Sequence, residues 1–388
     1  MKKSNFKTLT LSALIFFLFA FPSNHSAKEN GKNIELGKII TLSSKILNEN
    51  RDIFVYLPVG YKQSKEKYPV IYILDARVNF IYGIGVVNFL SRIQHMPRSI
   101  VVGITNTDRI RDFTPIHEAR SKTSGGANKF LEFMDKELIP YVDHNYRTHS
   151  YRTLFGHSLC GMFSIYTLFK KPEMFDSFIS VSPYLQYGEN YVVQFADSIL
   201  FEQSEIRKSI FITLGDEPEY SENISALKNI LSNKAKKISL EISKRETENH
   251  ASVPLKSLYD GLEFIFSDWG LNKETIDKGL EAIKKHYYSL NQKYGFEVKP
   301  NEVQINAIGY QWLGKNKFEE AAKIFKYNVQ LFPNSSNVYD SYGESLEKQG
   351  LIAEAIKSYT KAVELGTIEN NRNLGIYKKN LERVEASR

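Results

Sequence analysis

The sequence predicts an α/β domain with a doubly wound sheet, followed by an all-α domain. Between about residues 34 and 267, apolar strand-like runs alternate with helical stretches, which is the pattern of a sheet covered by helices. From about residue 270 the strand pattern stops, and a helical pattern repeats itself. The 388 residues are enough for two domains, and the 42% hydrophobic content is enough for large buried cores.

The first residues have the pattern of a secretory signal peptide. Three lysines precede an apolar run from Leu9 to Phe21, and a proline with small polar residues follows it. Because the run is too short to span a bilayer comfortably, we expect cleavage between Ser23 and Ala27, with an uncleaved membrane anchor as the alternative. Residues 1–27 are therefore predicted to be removed, and the mature protein to be exported to a periplasm or out of the cell.

Charge and cysteine content exclude several classes of function. The formal net charge is +7, and removal of residues 1–27, which hold three lysines and no acids, leaves +4. The remaining lysines and arginines are scattered among acids, so the sequence does not predict nucleic-acid binding. One cysteine cannot form an internal disulfide, and no Cys/His cluster has metal-ligand spacing, so we expect neither a metal nor another cofactor.

The predicted elements of the first domain, residues 28–270, alternate along the chain. Strand-like runs cover 34–57, and YPVIYILDA (68–76) is apolar throughout, as expected in the middle of a covered sheet. Further strands are predicted at 99–105, 153–156, 175–183, 209–215 and 237–243, and helices at about 78–94, 126–145, 159–170, 221–233 and 252–267.

The second domain, residues 274–388, contains two similar segments offset by 34 residues. FEEAAKIF (318–325) aligns with IAEAIKSY (352–359), and the same offset pairs Gly309 with Gly343. Small residues recur where paired helices approach closely, and aromatic residues recur where they fill the gap. The spacing and the small/aromatic pattern resemble those of tetratricopeptide repeats, with a generic helical extension as the alternative.

The two repeats cover about 302–335 and 336–369. Two repeats are few for a free-standing array, because their outer apolar faces need neighbours. We therefore expect the helices at about 274–293 and 370–386 to cap them, or the array to pack on the first domain or on a second chain.

The stretch TLFGHSLCGMFSI (153–165) predicts a nucleophile elbow at Ser158. An apolar strand precedes the serine and a helix-compatible run follows it, and the strained turn between them needs small residues on either side. Gly156 meets this need, and Gly161 allows close approach of the helix. We interpret Cys160, which stands where the motif has its second glycine, as a packing residue; an ordinary turn serine at 158 is the alternative.

A serine nucleophile needs a base, and in this strand-turn-helix arrangement the histidine follows the serine along the chain. Only His250 and His286 do so. His250 lies in a polar loop before the last helix of the first domain, whereas His286 lies on a lysine-rich helix and is expected to face solvent. His157 is expected to point away from Ser158, because alternate residues of a strand face opposite sides.

The acid that orients the base should follow the preceding strand, SIFITLG (209–215). Asp216, Glu217 and Glu219 all lie there. We predict Glu217, because it is close to the end of the strand and a proline stiffens the loop behind it, with Asp216 and then Glu219 as alternatives.

An acyl-transfer site also needs two N–H donors for the oxyanion. Leu159, directly after the nucleophile, should supply one. Ala76 or Arg77, in the turn after the strand 68–76, should supply the other, while Asp75 is expected to brace that turn.

Six separated blocks, in order, resemble the α/β-hydrolase esterases of the enterochelin esterase and esterase D type. The resemblance covers about residues 35–268 and implies ester hydrolysis with Ser158 as nucleophile and His250 as base, whereas the acid varies in that family. Cys160 departs from the glycine that the family has there. The blocks are YPVIYILDA, NTDRIRDFTP, KELIPYVDHNYRT, GHSLCGMFSIY, SVSPYL and HASVPLKSLYDGLEFIF.

The block NTDRIRDFTP (106–115) follows the carboxyl end of a strand, where ligands bind in α/β sheets. The resemblance implies that Arg109 and Arg111 meet anionic or catechol-like groups of a siderophore ester. The alternative is that either arginine pairs with Asp108, Asp112 or a neighbouring acid and holds the loop.

Together these patterns predict an exported serine carboxylic-ester hydrolase acting through an acyl-enzyme on Ser158. Siderophore lactones, feruloyl or acetyl-polysaccharide esters and short-chain esters are all candidate substrates, and the repeats are candidates for binding a protein partner or a second copy. One alternative is an acyltransferase on the same fold. Another is a non-catalytic protein that binds its partner through the repeats.

Overall fold

The computed structural model describes residues 34–202 and 206–387. From Gly37 onward they form one compact unit. The predicted signal peptide, residues 1–27, lies outside the described residues. No helix in the described ranges combines the length and the hydropathy needed to cross a bilayer.

The predicted α/β-hydrolase-like sheet is confirmed as an eight-stranded mixed sheet in the order β1-β2-β4-β3-β5-β6-β7-β8. The first two strands are antiparallel to their neighbours, and the others run parallel. The carboxyl ends of β3 to β8 therefore meet at one edge, where ligands bind in such sheets. The strands are β1 Lys38–Ser44, β2 Glu49–Tyr56, β3 Tyr68–Ile73, β4 Ile100–Ile104, β5 Thr148–His157, β6 Ser177–Val181, β7 Ser209–Leu214 and β8 Ser239–Lys244.

In the part of the chain that the structure describes, eight helices accompany the sheet. Two of them, α2 and α6, are not predicted from the sequence, and a π-helical segment, Met134–Leu138, joins α3 to α4. The helix α6 contains three consecutive residues in the left-handed conformation near its start, Gly188, Glu189 and Asn190. The helices are α1 Ala76–Arg92, α2 Arg109–Phe113, α3 Ala127–Phe133, α4 Ile139–Asn145, α5 Leu159–Lys170, α6 Tyr187–Glu202, α7 Ser221–Lys234 and α8 Val253–Ile265.

Hydrophobic cores cover both faces of the sheet. Successive residues of β3 alternate between them: Val70 and Tyr72 lie in the core that contains α3 to α7, and Ile71 and Ile73 lie in the core that contains α1 and α8. All four side chains are buried, which explains why the strand is apolar throughout.

The remainder of the described chain is helical, as predicted. A Cβ at Gly309 would lie 2.4 Å from the Phe325 ring, and one at Gly343 would lie 2.8 Å from the Tyr359 ring, so the same small/aromatic contact recurs in both helix pairs. The helices are α9 Lys273–Asp277, α10 Leu280–Tyr294, α11 Glu302–Gly314, α12 Phe318–Leu331, α13 Ser336–Lys348, α14 Ile352–Ile368 and α15 Leu374–Glu385.

The C-terminal helices pack directly on the sheet domain. Tyr294, at the end of α10, has its ring centroid 5.2 Å from that of Tyr151 on β5, and its hydroxyl donates to Asp268 at 2.7 Å. Phe296 stacks on His149 with the ring centroids 4.0 Å apart. These contacts lie at the amino end of β5, opposite the edge at which the parallel strands end.

Candidate active site

Ser158 lies at the sharp turn between β5 and α5. Its backbone has φ 61° and ψ −119°, a conformation that costs energy in a residue with a side chain. A Cβ at Gly156 would lie 2.2 Å from the carbonyl oxygen of Cys160, and one at Gly161 would lie 2.8 Å from that of Val181. The two glycines therefore permit the turn, which has the strand-turn-helix form expected of a nucleophile elbow.

His250 lies at the same edge, in the loop between β8 and α8, with Glu217 bound to it. The Nδ1–H of His250 donates to Glu217 Oε1, and the other carboxylate oxygen accepts from the Ser182 hydroxyl and, at 2.8 Å, from the Gly215 N–H. Burial raises the pKa of the Glu217 carboxyl, but these hydrogen bonds outweigh it and hold the pKa below its usual value. Glu217 is thus a buried carboxylate that orients the imidazole and leaves its Nε2 free for chemistry.

The two alternative acids lie elsewhere. Asp216 has a side chain that is 66% exposed and lies 3.5 Å from Lys244, and Glu219 is also exposed. Of the three acids considered from the sequence, Glu217 is the one whose carboxylate contacts His250.

His157 lies within the site, and the expectation that it points away from it is wrong. Its ring centroid is 4.5 Å from that of His250, whose other neighbour, Tyr220, lies 5.8 Å away. Strand alternation holds here: Phe155, two residues earlier, lies in the core that contains α8, and His250 lies in the loop that leads into α8. Burial lowers the pKa of His157 to about 4, assisted by the nearby His250 and Arg109, so this imidazole is neutral at neutral pH.

The two predicted oxyanion donors occupy equivalent positions. Leu159 is the first residue of α5 and Ala76 the first residue of α1, and the N–H of a first helical residue has no acceptor within its own helix. The segments are neighbours because β3 pairs with β5 and the Leu74 N–H donates to the Phe155 carbonyl oxygen at 3.1 Å. Both N–H groups are thus available at the edge that carries Ser158.

Arg109 lies beside these donors. Its Nε is 3.0 Å from Asp75 Oδ2, its Nη2 is 3.4 Å from the carbonyl oxygen of His157, and its side chain remains 37% exposed. Asp75 also accepts from the Asn106 amide, which fits its expected role of bracing the turn after β3. Arg109 therefore ties the β4–α2 loop to the site and keeps part of its surface accessible.

Arg111 lies behind the loop, in a network of ion pairs. Both of its terminal nitrogens bind Glu49 at 2.9 Å, and its Nε donates to Asp112 Oδ1 at 2.8 Å. Asp112 also binds the fully buried Arg51 at 2.7 Å. The Arg111 guanidinium is committed to protein partners, so its contacts hold the loop that carries Arg109.

These groups together suit acyl transfer at a carbonyl carbon. A hydroxyl at a strained turn, an imidazole oriented by a carboxylate and two backbone donors from neighbouring helices are the parts that a covalent serine mechanism needs. Within the described ranges, no group of three His, Cys, Asp or Glu side chains has the arrangement of a metal site.

Comparison with known proteins finds esterases and hydrolases among the similar chains. Ferri-bacillibactin esterase BesA of Bacillus subtilis (strain 168) is 31% identical over 184 residues, which cover 39% of this chain and 60% of that protein. An IroE-like serine hydrolase from Shewanella oneidensis superimposes with a TM-score of 0.67 at 26% identity, covering 76% of this chain and 99% of the other.

The likeness extends into the helical region. An uncharacterised protein from Capnocytophaga ochracea has a TM-score of 0.67 at 18% identity and covers 90% of this chain and 99% of its own, which shows a shared fold. The family model named Putative esterase matches residues 44–299, well over half of the chain. The protein therefore belongs to the Putative esterase family.

Proposed function

We propose that the protein is a serine carboxylic-ester hydrolase that works through an acyl-enzyme on Ser158. The observation that carries the proposal is the His250–Glu217 pair at the sheet edge on which Ser158 occupies a strained turn. Family membership supports the same reaction class.

In the first half of the reaction, His250 Nε2 removes the proton from Ser158 Oγ as that oxygen attacks the ester carbonyl carbon. The N–H groups of Leu159 and Ala76 bind the oxyanion, and Glu217 stabilises the imidazolium. Collapse of the tetrahedral intermediate breaks the bond to the alcohol oxygen, which takes the proton from His250. Water, deprotonated by the same nitrogen, then attacks the acyl-enzyme and releases the acid with Ser158 restored.

For the substrate, we propose siderophore or acyl-sugar esters. The first is supported by two relatives. One is named Siderophore enterobactin esterase, and the other is the Bacillus protein named Ferri-bacillibactin esterase, of whose length this chain spans only three fifths. The partly exposed guanidinium of Arg109, next to the oxyanion donors, is placed to meet an anionic or catecholate group. Arg111 acts indirectly, because its donors bind Glu49 and Asp112.

For the rest of the chain, we propose export by the signal peptide of residues 1–27 to a periplasm or the cell exterior. We also propose that α11 to α14 are two tetratricopeptide repeats. The recurrent Gly309–Phe325 and Gly343–Tyr359 contacts, 34 residues apart, support this assignment. The repeats are the segment that we expect to bind a protein partner or a second copy.

The proposed function is tested by locating the covalent intermediate. A fluorophosphonate should label the purified protein once, on the peptide that contains Ser158, and Ser158→Ala should abolish both the label and the hydrolysis of p-nitrophenyl acetate. The matched control is Ser198→Ala, which removes an exposed hydroxyl and should keep both. Substantial hydrolysis by Ser158→Ala, or a label on another residue, would refute the mechanism.

A panel of esters then addresses the substrate. We expect the highest kcat/KM on a catecholate siderophore ester, with Arg109→Gln raising KM for that ester more than for p-nitrophenyl acetate. Acyl transfer to added alcohols in excess of hydrolysis would instead favour the acyltransferase alternative.

A further inference from the structure

Cys160 makes a hydrogen bond that a glycine has no atom to make. Its Sγ lies 3.1 Å from Asp75 Oδ2, with the cysteine fully buried and the Asp75 side chain 13% exposed. Burial raises the pKa of the Cys160 thiol well above its usual value, so the sulfur keeps its proton and donates it to the carboxylate. A thiol is ordinarily a weak donor, and a charged acceptor strengthens the bond.

The bond joins the two segments that supply the proposed oxyanion donors. Cys160 follows Leu159 directly, and Asp75 directly precedes Ala76. The backbone pairing of these segments ends with the Leu74 N–H bond to the Phe155 carbonyl oxygen, after which the chains turn into α1 and α5. The thiol–carboxylate bond therefore connects the two segments beyond the last backbone hydrogen bond between them.

Asp75 needs contacts that hold it in place, because its own backbone conformation is unfavourable. It has φ 54° and ψ 46°, the left-handed conformation, which costs a non-glycine residue of the order of 1 kcal/mol. Asn106 binds Oδ1 of its carboxylate, Arg109 binds both carboxylate oxygens, and Cys160 binds Oδ2. Cys160 is the partner that comes from the elbow itself.

We propose that Cys160 is a positioning residue whose thiol, by binding Asp75, fixes the separation of the Leu159 and Ala76 N–H groups. The inference rests on the proposed function, because that separation matters only if the two groups bind an oxyanion. Oxyanion donors act at 2.7–3.1 Å from the charge that develops in the transition state, so a looser hole penalises the transition state more than the bound substrate. The effect should therefore appear in kcat and leave KM nearly unchanged.

The test compares Cys160→Ala with Cys160→Ser in the full chain. Cys160→Ala removes the donor, and we expect kcat for p-nitrophenyl acetate to fall about tenfold, less than the 10²–10³ that follows loss of an oxyanion donor itself. KM should stay within about twofold, and inhibition by phenylboronic acid should weaken about tenfold. That inhibitor forms a B–O bond to Ser158, with the serine proton passing to His250, and the adduct places an oxygen in the hole. Cys160→Ser keeps a donor and should restore most of the loss.

A control variant separates positioning from packing. Ser164 lies one turn further along α5, is buried, and donates to the Gly161 carbonyl oxygen at 3.1 Å without touching Asp75. Ser164→Ala should lower the melting temperature without changing kcat or boronate inhibition.

Each outcome decides one question. Three results would each overturn the positioning role: wild-type kcat in Cys160→Ala, a loss confined to KM, or no recovery of kcat in Cys160→Ser. None of them affects the proposed function as long as the wild type shows Ser158-dependent hydrolysis. Absence of Ser158-dependent hydrolysis in the wild type would instead remove the proposed function itself.

Discussion

The two ends of strand β5 differ in what their side chains do. At the carboxyl end, His157 and Ser158 are half-buried, the serine backbone is strained, and His250, Arg109 and Glu217 lie nearby. At the amino end, by contrast, the strand is held by aromatic contacts with the C-terminal helices. His149 stacks on Phe296, and Tyr151 packs against Tyr294.

The carboxyl end of the strand carries the candidate active site, and the amino end anchors the strand to the C-terminal helices. His149 and His157 are eight positions apart along the strand, so the two ends are roughly 26 Å apart at about 3.3 Å per residue. A strained turn persists only where the surrounding structure determines it, and a buried strand fixed at its far end provides such a surrounding. The comparison predicts that removing a group of the candidate active site at the carboxyl end affects rate, whereas removing a packing contact at the amino end affects stability alone.

The largest effects should come from His250 and Glu217, the proposed base and the acid that orients it. We expect His250→Ala to lower kcat for p-nitrophenyl acetate by at least about 10³-fold, and Glu217→Gln to lower it by about 10²-fold, because the carboxylate only orients and stabilises the imidazolium. Steady-state kinetics at neutral pH measures both, and both proteins should remain folded by circular dichroism.

Asp216→Asn is the matched control for the carboxylate. Asp216 is adjacent to Glu217, but it is exposed and faces Lys244, so its loss should change kcat by less than about twofold. If Asp216→Asn were the more damaging change, the contact between Glu217 and His250 would not be the one that supports catalysis.

At the carboxyl end of β5, the local sequence pattern predicts the nucleophile elbow. It does not predict contacts between residues that are far apart in the chain. The turn at Ser158 follows from adjacent residues, since Gly156 and the switch from strand to helix are visible in the sequence. The Cys160–Asp75 bond depends on how β3 and β5 are arranged, and the binding of Glu49 by Arg111 depends on how β2 and β4 are arranged. Sequence spacing does not contain that information. Because the contact with Asp75 is not visible in the sequence, the sequence predicts only a packing role for Cys160.

The secondary-structure elements also divide into those that a local sequence pattern predicts and those that it does not. The central strands were predicted because two-sided burial makes them apolar throughout, and the helix pairs of the C-terminal region because their contacts repeat at a fixed offset. Helix α6 is not among the predicted elements, and its start is irregular, with Gly188, Glu189 and Asn190 in the left-handed conformation. Alternation places His157 on the same face of the sheet as Phe155, but the sequence does not show that the His250 loop lies on that face too.

An intermediate effect, on stability alone, should come from the amino end of β5. Tyr294 is 2% exposed, packs against Tyr151 and donates its hydroxyl to Asp268, so Tyr294→Ala should reduce the free energy of unfolding by about 4 kcal/mol. Because the contact lies far from Ser158, kcat on small esters should stay within about twofold. Denaturant unfolding and steady-state kinetics on the same preparation measure the two quantities.

Tyr288 provides the control on the same helix. Its side chain is 64% exposed, so Tyr288→Ala should change stability by less than about 0.5 kcal/mol. A large loss of kcat in folded Tyr294→Ala would show that the two ends of β5 are coupled and that the proposed separation is wrong.

The smallest effect concerns the two histidines of β5 and the pH dependence of stability. Burial lowers the pKa of His157 to about 4, and burial with the nearby Lys67 lowers that of His149, both from an ordinary value of 6.5. An imidazole that is harder to protonate in the folded protein binds fewer protons there than in the unfolded chain, so it stabilises the fold above pH 6.5 and loses that contribution as the pH falls.

For His157 the loss should extend from pH 6.5 down to about 4 and amount to roughly 3 kcal/mol, because each unit of pKa shift corresponds to about 1.4 kcal/mol. Denaturant unfolding at pH 7.5 and at pH 4.5 should therefore show a smaller difference in His157→Gln than in the wild type. His149→Gln should reduce the difference less, and His144→Gln, at an exposed position, should keep the wild-type difference. If His157→Gln retained the full pH dependence, the neutral imidazole assigned beside His250 would be incorrect. If His149→Gln had the larger effect, the amino end of β5 would be the more tightly buried of the two.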